Sequence, residues 1–191
     1  ILFDLSRPPQ ADTLPRPGEG LGERSKHVIE LTVLQPHQIA NLGVSRTFQQ
    51  VRLFRNLTIF DHLVMVGREG KIKEELKKFG IEKPPHALVS DLSYGQRKLL
   101  QLAMAVRKPH RLLLLDEPVA GVNKVVQQEI ENLLLEFKKQ GETIALIDHD
   151  MEFVRKIADK AVVMDEGKVL VEGEPETVLK DARVLEAYLG E

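Results

Sequence analysis

Four consecutive leucines, Leu112 to Leu115, run straight into Asp116-Glu117-Pro118. A continuous apolar run of strand length is the form expected of a parallel strand buried on both faces, and a carboxylate at its end marks where the chain leaves the core. A second such run, Thr143 to Ile147, ends on Asp148-His149-Asp150. Between them Asn123 is placed to cap a helix in which Val126, Ile130, Leu133, Leu134 and Phe137 recur at three and four residues, and Gly141 stops it. Strand, helix and strand in this order predict an α/β fold with a parallel sheet, and Leu112–Leu115 as a central strand. Open sheets of this kind bind ligands at the C-terminal rim of their strands, where Asp116, Glu117 and His149 emerge.

The remainder of the chain reads around that unit. Residues 1 to about 33 hold Pro8, Pro9, Pro15, Pro17, Gly18, Gly20 and Gly22 with little apolar periodicity, and read as loop or disorder. Gln38 to Leu42 is a short helical turn and Val44 to Phe48 a strand. Residues 57 to 80 are helical in pattern up to Gly80, and a Ser93-initiated helix runs to about Val106 with Leu99, Leu100, Leu102, Ala103 and Val106 on a wide buried face. Beyond 150, a helix over Met151 to Ala158 leads to Ala161–Met164, and Asp165-Glu166-Gly167-Lys168 turns back into Val169–Val171 as a hairpin.

Composition narrows the function classes. With 42% hydrophobic and 29% charged residues the 191-residue chain has ordinary globular make-up. A net charge of -2 without long runs of one sign argues against nucleic acid as a partner. The absence of cysteine excludes disulfides and thiolate metal sites and fits a cytoplasmic location. No apolar run approaches the roughly 18 to 20 residues a membrane span needs.

The candidate chemistry follows from residue type and place. Asp116 suits Mg²⁺, which prefers hard oxygen ligands, and Glu117 suits a general base that activates water. Ser93 and Gly95 open a helix whose free N–H groups and positive dipole end favour a phosphate anion; the alternative is that Ser93 is simply a cap. His149, as a neutral imidazole, could hydrogen-bond a transferring phosphoryl group. Gln49, after the Val44–Phe48 stretch, is the weakest candidate alone.

In combination these residues resemble the ATPase subunits of ABC transporters: Leu92-Ser93-Tyr94-Gly95-Gln96 is similar to the signature, Leu112–Glu117 to the Walker B strand, and Ile147–Asp150 to the H-loop. Arg46-Thr47-Phe48-Gln49, with Arg52-Leu53-Phe54 and Leu57-Thr58, resembles the Q-loop of branched-chain amino acid importers; Pro118–Asn123 resembles their D-loop, and Val184–Glu191 their ending. The resemblance covers 34–191, with about 50–92 as a helical subdomain facing a membrane permease and shorter than is usual; Ile1–Leu5 resembles the helix that follows the phosphate loop. It implies an ABC-type nucleotide-binding domain on the inner face of the membrane, using ATP and Mg²⁺ and forming a homo- or heterodimer head to tail. The implied roles are Gln49 and Asp116 at Mg²⁺, Glu117 as base, His149 as phosphate sensor, and Ser93, Gly95 and Gln96 on the partner's nucleotide. A lipopolysaccharide-export ATPase shares the C-terminal resemblance, but the Arg46–Gln49 and Tyr94 features favour the importer.

One expected part is missing. No G-x-x-x-x-G-K-[ST] occurs in the 191 residues. Gly18-Glu19-Gly20-Leu21-Gly22 with Lys26 is a poor substitute, because no apolar strand precedes it and His27 stands where a hydroxyl should be. Losing one preorganised donor costs about 10² to 10³ in rate, so the chain alone is expected to hydrolyse ATP poorly or not at all. Two explanations stand open for residues 6–33: disruption of an importer gene, or a degenerate partner that donates its signature to an intact ATPase.

Overall fold

The computed structural model describes residues 30–67 and 70–189. The glycine-rich stretch at 18–26 and the opening Ile1–Leu5 lie outside the described residues.

Three strands form a parallel sheet: β1 (Val44–Arg46), β2 (Leu112–Asp116) and β3 (Ile144–Ile147), with β2 in the centre. The register sets Arg46 beside Leu114 and Asp116 beside Ile147, so all three strands end at one rim. The α/β class and the central place of Leu112–Leu115 hold. The expectation of burial on both faces does not: Leu113 and Leu115 are buried, whereas Leu112 and Leu114 are only half covered. β1 is also shorter than Val44–Phe48. Thr47 still donates its N–H to the Leu114 carbonyl at 2.9 Å. Phe48 then turns outward, its ring 5.1 Å from the Arg46 guanidinium and 5.3 Å from that of Arg52.

The helices before and between these strands are α1 (Pro36–Asn41), α2 (Ile59–Val66), α3 (Ile72–Lys78), α4 (Tyr94–Arg107) and α5 (Lys124–Lys139). Asn123 caps α5, its side chain accepting from Val126 N at 3.0 Å. Leu99, Leu100 and Ala103 of α4 and Ile130 and Leu134 of α5 join Leu113, Leu115 and Leu146 in one core. Each fully buried leucine or isoleucine contributes about 1.5–3 kcal/mol relative to exposure.

The pattern read as continuous over 57–80 is two helices, because Gly67 at the end of α2 is extended rather than helical. Thr58 and Asp61 form a reciprocal cap at the start of α2. His62 in the same helix is buried; its Nε2 accepts from Phe54 N at 3.0 Å and its Nδ1 lies 2.8 Å from the Thr58 carbonyl, so Nδ1 carries the proton. The segment after Gln49 is thereby stitched to α2. At the far end, Phe79 packs on Phe137 of α5 with ring centres 6.2 Å apart.

After β3 come α6 (Met151–Ile157), β4 (Ala161–Asp165), β5 (Lys168–Gly173), α7 (Pro175–Val178) and α8 (Ala182–Leu189). β4 and β5 form the expected antiparallel hairpin, separate from the parallel sheet. Its turn places Glu166 at φ 45° and Gly167 at φ 79°, the mirror-image turn that matches the strands' twist.

Candidate functional site

At the rim, the ends of the three parallel strands converge. Glu117 is the first residue past β2, and its N–H donates to the Ile147 carbonyl at 2.8 Å, extending the ladder by one step. Its backbone lies at φ 44°, a left-handed conformation that costs a non-glycine residue on the order of 1 kcal/mol and persists only where neighbours enforce it. Here the enforcement is visible, since Ala120 N closes a turn onto the Glu117 carbonyl at 3.2 Å. The Glu117 side chain receives the Gln49 amide, Nε2 to Oε2, at 2.7 Å. Arg46 Nη2 lies 3.1 Å from Asp116 Oδ2, and Asp116 N donates to Thr47 Oγ1 at 3.3 Å.

His149 joins this group from β3. Its Nδ1 stands 3.7 Å from Glu117 Oε1 and 3.8 Å from Asp148 Oδ1, within reach of charge but not of a hydrogen bond, and its side chain is 70% exposed. Gln49, Asp116, Glu117 and His149 are thus brought together.

Ser93, Gly95 and Gln96 form a separate group at the start of α4. Ser93 Oγ accepts from Gln96 N at 3.2 Å and Gln96 Oε1 accepts from Ser93 N at 3.0 Å, a complete capping box. Gly95 has a packing reason of its own. A methyl group there would sit 2.7 Å from Val126 Cγ2, so only glycine lets α4 approach α5 this closely.

Two charges under the rim are buried, which the sequence did not announce: Lys98 was not singled out, and Asp148 stood only within the Ile147–Asp150 stretch. Lys98 is only 4% exposed, and its ammonium donates to the carbonyls of Gln49 at 2.8 Å and Glu117 at 2.9 Å. Burial lowers its pKa, opposed by the charges of Asp148, Glu117 and Asp116. Asp148 is 2% exposed; burial pushes its carboxyl up, opposed by the backbone N–H of Asp150 and by His149. Its Oδ1 accepts from Asp150 N at 3.0 Å while Oδ2 makes no hydrogen bond. A signal for Lys98 was available, because it sits at helical spacing with the buried Leu102 and Ala105.

Asp116 and the Gln49 carboxamide present hard oxygen donors of the type Mg²⁺ takes. Among the described residues no group of three or more His, Cys, Asp or Glu could hold a metal unaided. That donor set fits an ion that shares its ligands with phosphate oxygens and water, as magnesium does at nucleotide sites.

The model of the ABC transporter family matches residues 14–120. The chain belongs to that family. The match begins inside the opening stretch that the motif reading left outside the pattern. A second family, the branched-chain amino acid ATP-binding cassette transporters, matches 168–191. Among ABC relatives, the probable branched-chain amino acid transport ATP-binding protein LivG of Archaeoglobus fulgidus is 35% identical over 84% of this chain and 71% of that protein. The lipopolysaccharide export system ATP-binding protein LptB of Haemophilus influenzae is 28% identical over 85% of this chain and 71% of its own length. In fold, the ADP conformation of MJ1267, an ATP-binding cassette of an ABC transporter, superposes with a TM-score of 0.70 at 26% identity, covering 83% of this chain and 72% of that one. Within the described residues no helix is long and apolar enough to cross a membrane.

Proposed function

We propose that this chain is the ATP-binding subunit of an importer of branched-chain amino acids or related amides, acting on the cytoplasmic face of a membrane permease. The observation that carries the site assignment is the 2.7 Å contact between Gln49 and Glu117, which joins two motifs far apart in the chain. In this reading Glu117 is the general base: its Oε2 is fixed by Gln49, leaving Oε1 to accept a proton from the attacking water. His149, free to turn on its exposed side, donates to the phosphoryl group. Asp116 and the side-chain Oε1 of Gln49 would hold Mg²⁺, which supplies charge neutralisation on the phosphates when bound. The Ser93–Gln96 turn offers the N-terminus of a long helix to the nucleotide of a second ATP-binding subunit.

The importer is favoured over lipopolysaccharide export by the greater identity to LivG and by the family match at 168–191. A second reading, a partner that donates its signature without turning over ATP, is favoured by one feature. The Ser93–Gln96 turn is complete in itself, its polar groups satisfied within one helical turn and its N-terminus left to a ligand from outside.

Uptake of labelled leucine into vesicles that carry the permease, a leucine-binding protein and this chain tests the proposal. Leucine uptake that requires ATP and is lost in Glu117→Gln is expected. ATP-dependent uptake that is indifferent to this chain would contradict it.

A further inference from the structure

Lys98 occupies a position on α4 whose neighbours Leu99, Leu102 and Ala103 are buried apolar residues. A leucine there would avoid the desolvation cost of a buried ammonium, so the charge calls for a reason. Its hydrogen bonds supply one. They go to two backbone carbonyls, at Gln49 and Glu117, that come from different strand ends. The Glu117 carbonyl belongs to a residue in a left-handed conformation, whose peptide plane would otherwise be held by the Ala120 turn alone. Fixing both planes fixes the side chains that leave them, and those side chains meet at 2.7 Å. The same ammonium faces Asp116, Glu117 and Asp148, whose negative charges favour it there.

We propose that Lys98 is a positioning residue: it ties the turn that opens α4 to the Gln49–Glu117 pair, so that this turn and the rim move as one body. Lys98 lies two residues beyond Gln96 on a rigid helix. A ligand that shifts the Ser93–Gln96 turn therefore shifts the two carbonyls and the base they orient. The catalytic consequence rests on the function proposed above; the mechanical tie does not.

Amide hydrogen exchange on the whole chain without nucleotide tests the tie. Lys98→Met preserves length and packing and removes the donors. The Phe54, Glu117 and Ala120 amides are expected to exchange about tenfold faster, with the Leu113 amide between β2 and β3 unchanged. Lys98→Arg, which keeps charge and donors, is expected to stay within about threefold of the parent at all of these amides. Unchanged exchange at Glu117 and Ala120 in Lys98→Met would overturn the proposal, as would a uniform acceleration that includes Leu113. If Lys98→Met does not fold, Lys98→Arg decides: protection near the parent supports the tie, and a loss of about tenfold at Glu117 and Ala120 overturns it. In an assembly that hydrolyses ATP, Lys98→Met is further expected to lower kcat with KM within about threefold, restored by Lys98→Arg. Turnover insensitive to Asp116→Asn would sink the ATP reading and leave the exchange result standing.

Discussion

The rim at the ends of β1–β3 and the turn that opens α4 are two polar groupings that are built in opposite ways. At the rim, partners come from distant parts of the chain: Gln49 meets Glu117, Arg46 meets Asp116, and Glu117 leans on Ile147. None of these contacts exists until the sheet has formed. In the α4 turn, Ser93 and Gln96 satisfy one another within a single helical turn. The rim is thus a product of tertiary structure and fails with it, whereas the turn forms with its own helix and is free to serve a ligand from outside. The difference teaches where to look for chemistry: residues whose polar atoms are oriented by remote partners are held for a reaction, and those capped locally are held for binding.

The largest effect that would sharpen the contrast is at Glu117. Glu117→Gln keeps the contact with Gln49 yet removes the base, so ATP turnover by the assembled transporter should fall about 10² to 10⁴-fold with nucleotide affinity nearly unchanged. Equal loss of affinity and turnover, measured by steady-state kinetics and binding, would place Glu117 in binding rather than chemistry.

Next is the close approach of the α4 turn to α5. Gly95→Ala should destabilise the chain by about 1–3 kcal/mol in denaturant unfolding, and Val126→Ala should recover much of the loss. Failure of the second change to rescue the first would mean that Gly95 is required for something other than packing on Val126.

Ser93 separates capping from ligand contact. Ser93→Ala should cost about 1 kcal/mol of stability, and Ser93→Asp, another good cap, almost none. If the turn also receives a phosphate, Ser93→Asp should abolish turnover by the assembly while leaving the melting curve alone. Full activity in Ser93→Asp would reduce Ser93 to a cap.

The smallest effect concerns the buried carboxylate beneath the rim. Because burial holds Asp148 above its ordinary 3.8, the folded chain keeps that proton more tightly than the unfolded chain. The resulting contribution to stability is fully present below the unfolded value and is lost as pH rises through the folded one. At neutral pH the ionised group therefore costs stability. Asp148→Asn should melt roughly 2–4 °C above the parent at pH 7, with the gap closing toward pH 4. A gap independent of pH between 4 and 7 would show that charge is not its cause.

Much of this was legible in the sequence, for physical reasons that differ by region. Leu112–Leu115 and Thr143–Ile147 are apolar runs too short for helices, and Asn123, Ser93 and Gly141 punctuate the helices by chemistry that acts locally. The hairpin turn at Asp165–Lys168 declared itself in the same way. The two-residue excess predicted for β1 arose because Phe48 is apolar, yet it stays exposed beside the Arg46 and Arg52 guanidiniums rather than in the core. The division of 57–80 into α2 and α3 was carried by Gly67 and Gly70, whose run without apolar residues was read through because both flanks are helical in pattern. At the rim, residue types and strand-end positions announced Asp116, Glu117 and His149. The burial of Lys98 and Asp148 went unnoticed, since a lysine or aspartate in sequence reads as solvated until the fold buries it. The left-handed backbone of Glu117 was equally silent, because it is enforced by the Ala120 turn that closes on its carbonyl.

The central question is whether the rim is where nucleotide meets metal. The most direct test follows the Gln49 side-chain amide and the Glu117 and His149 resonances by NMR while the whole chain is titrated with ATP, with and without Mg²⁺, up to about 10 mM, a range that detects binding as weak as −3 to −4 kcal/mol. Saturable shifts at all three residues, requiring Mg²⁺ and lost in Asp116→Asn, are expected. Shifts confined to other surfaces, or none at all, would contradict that role for the rim.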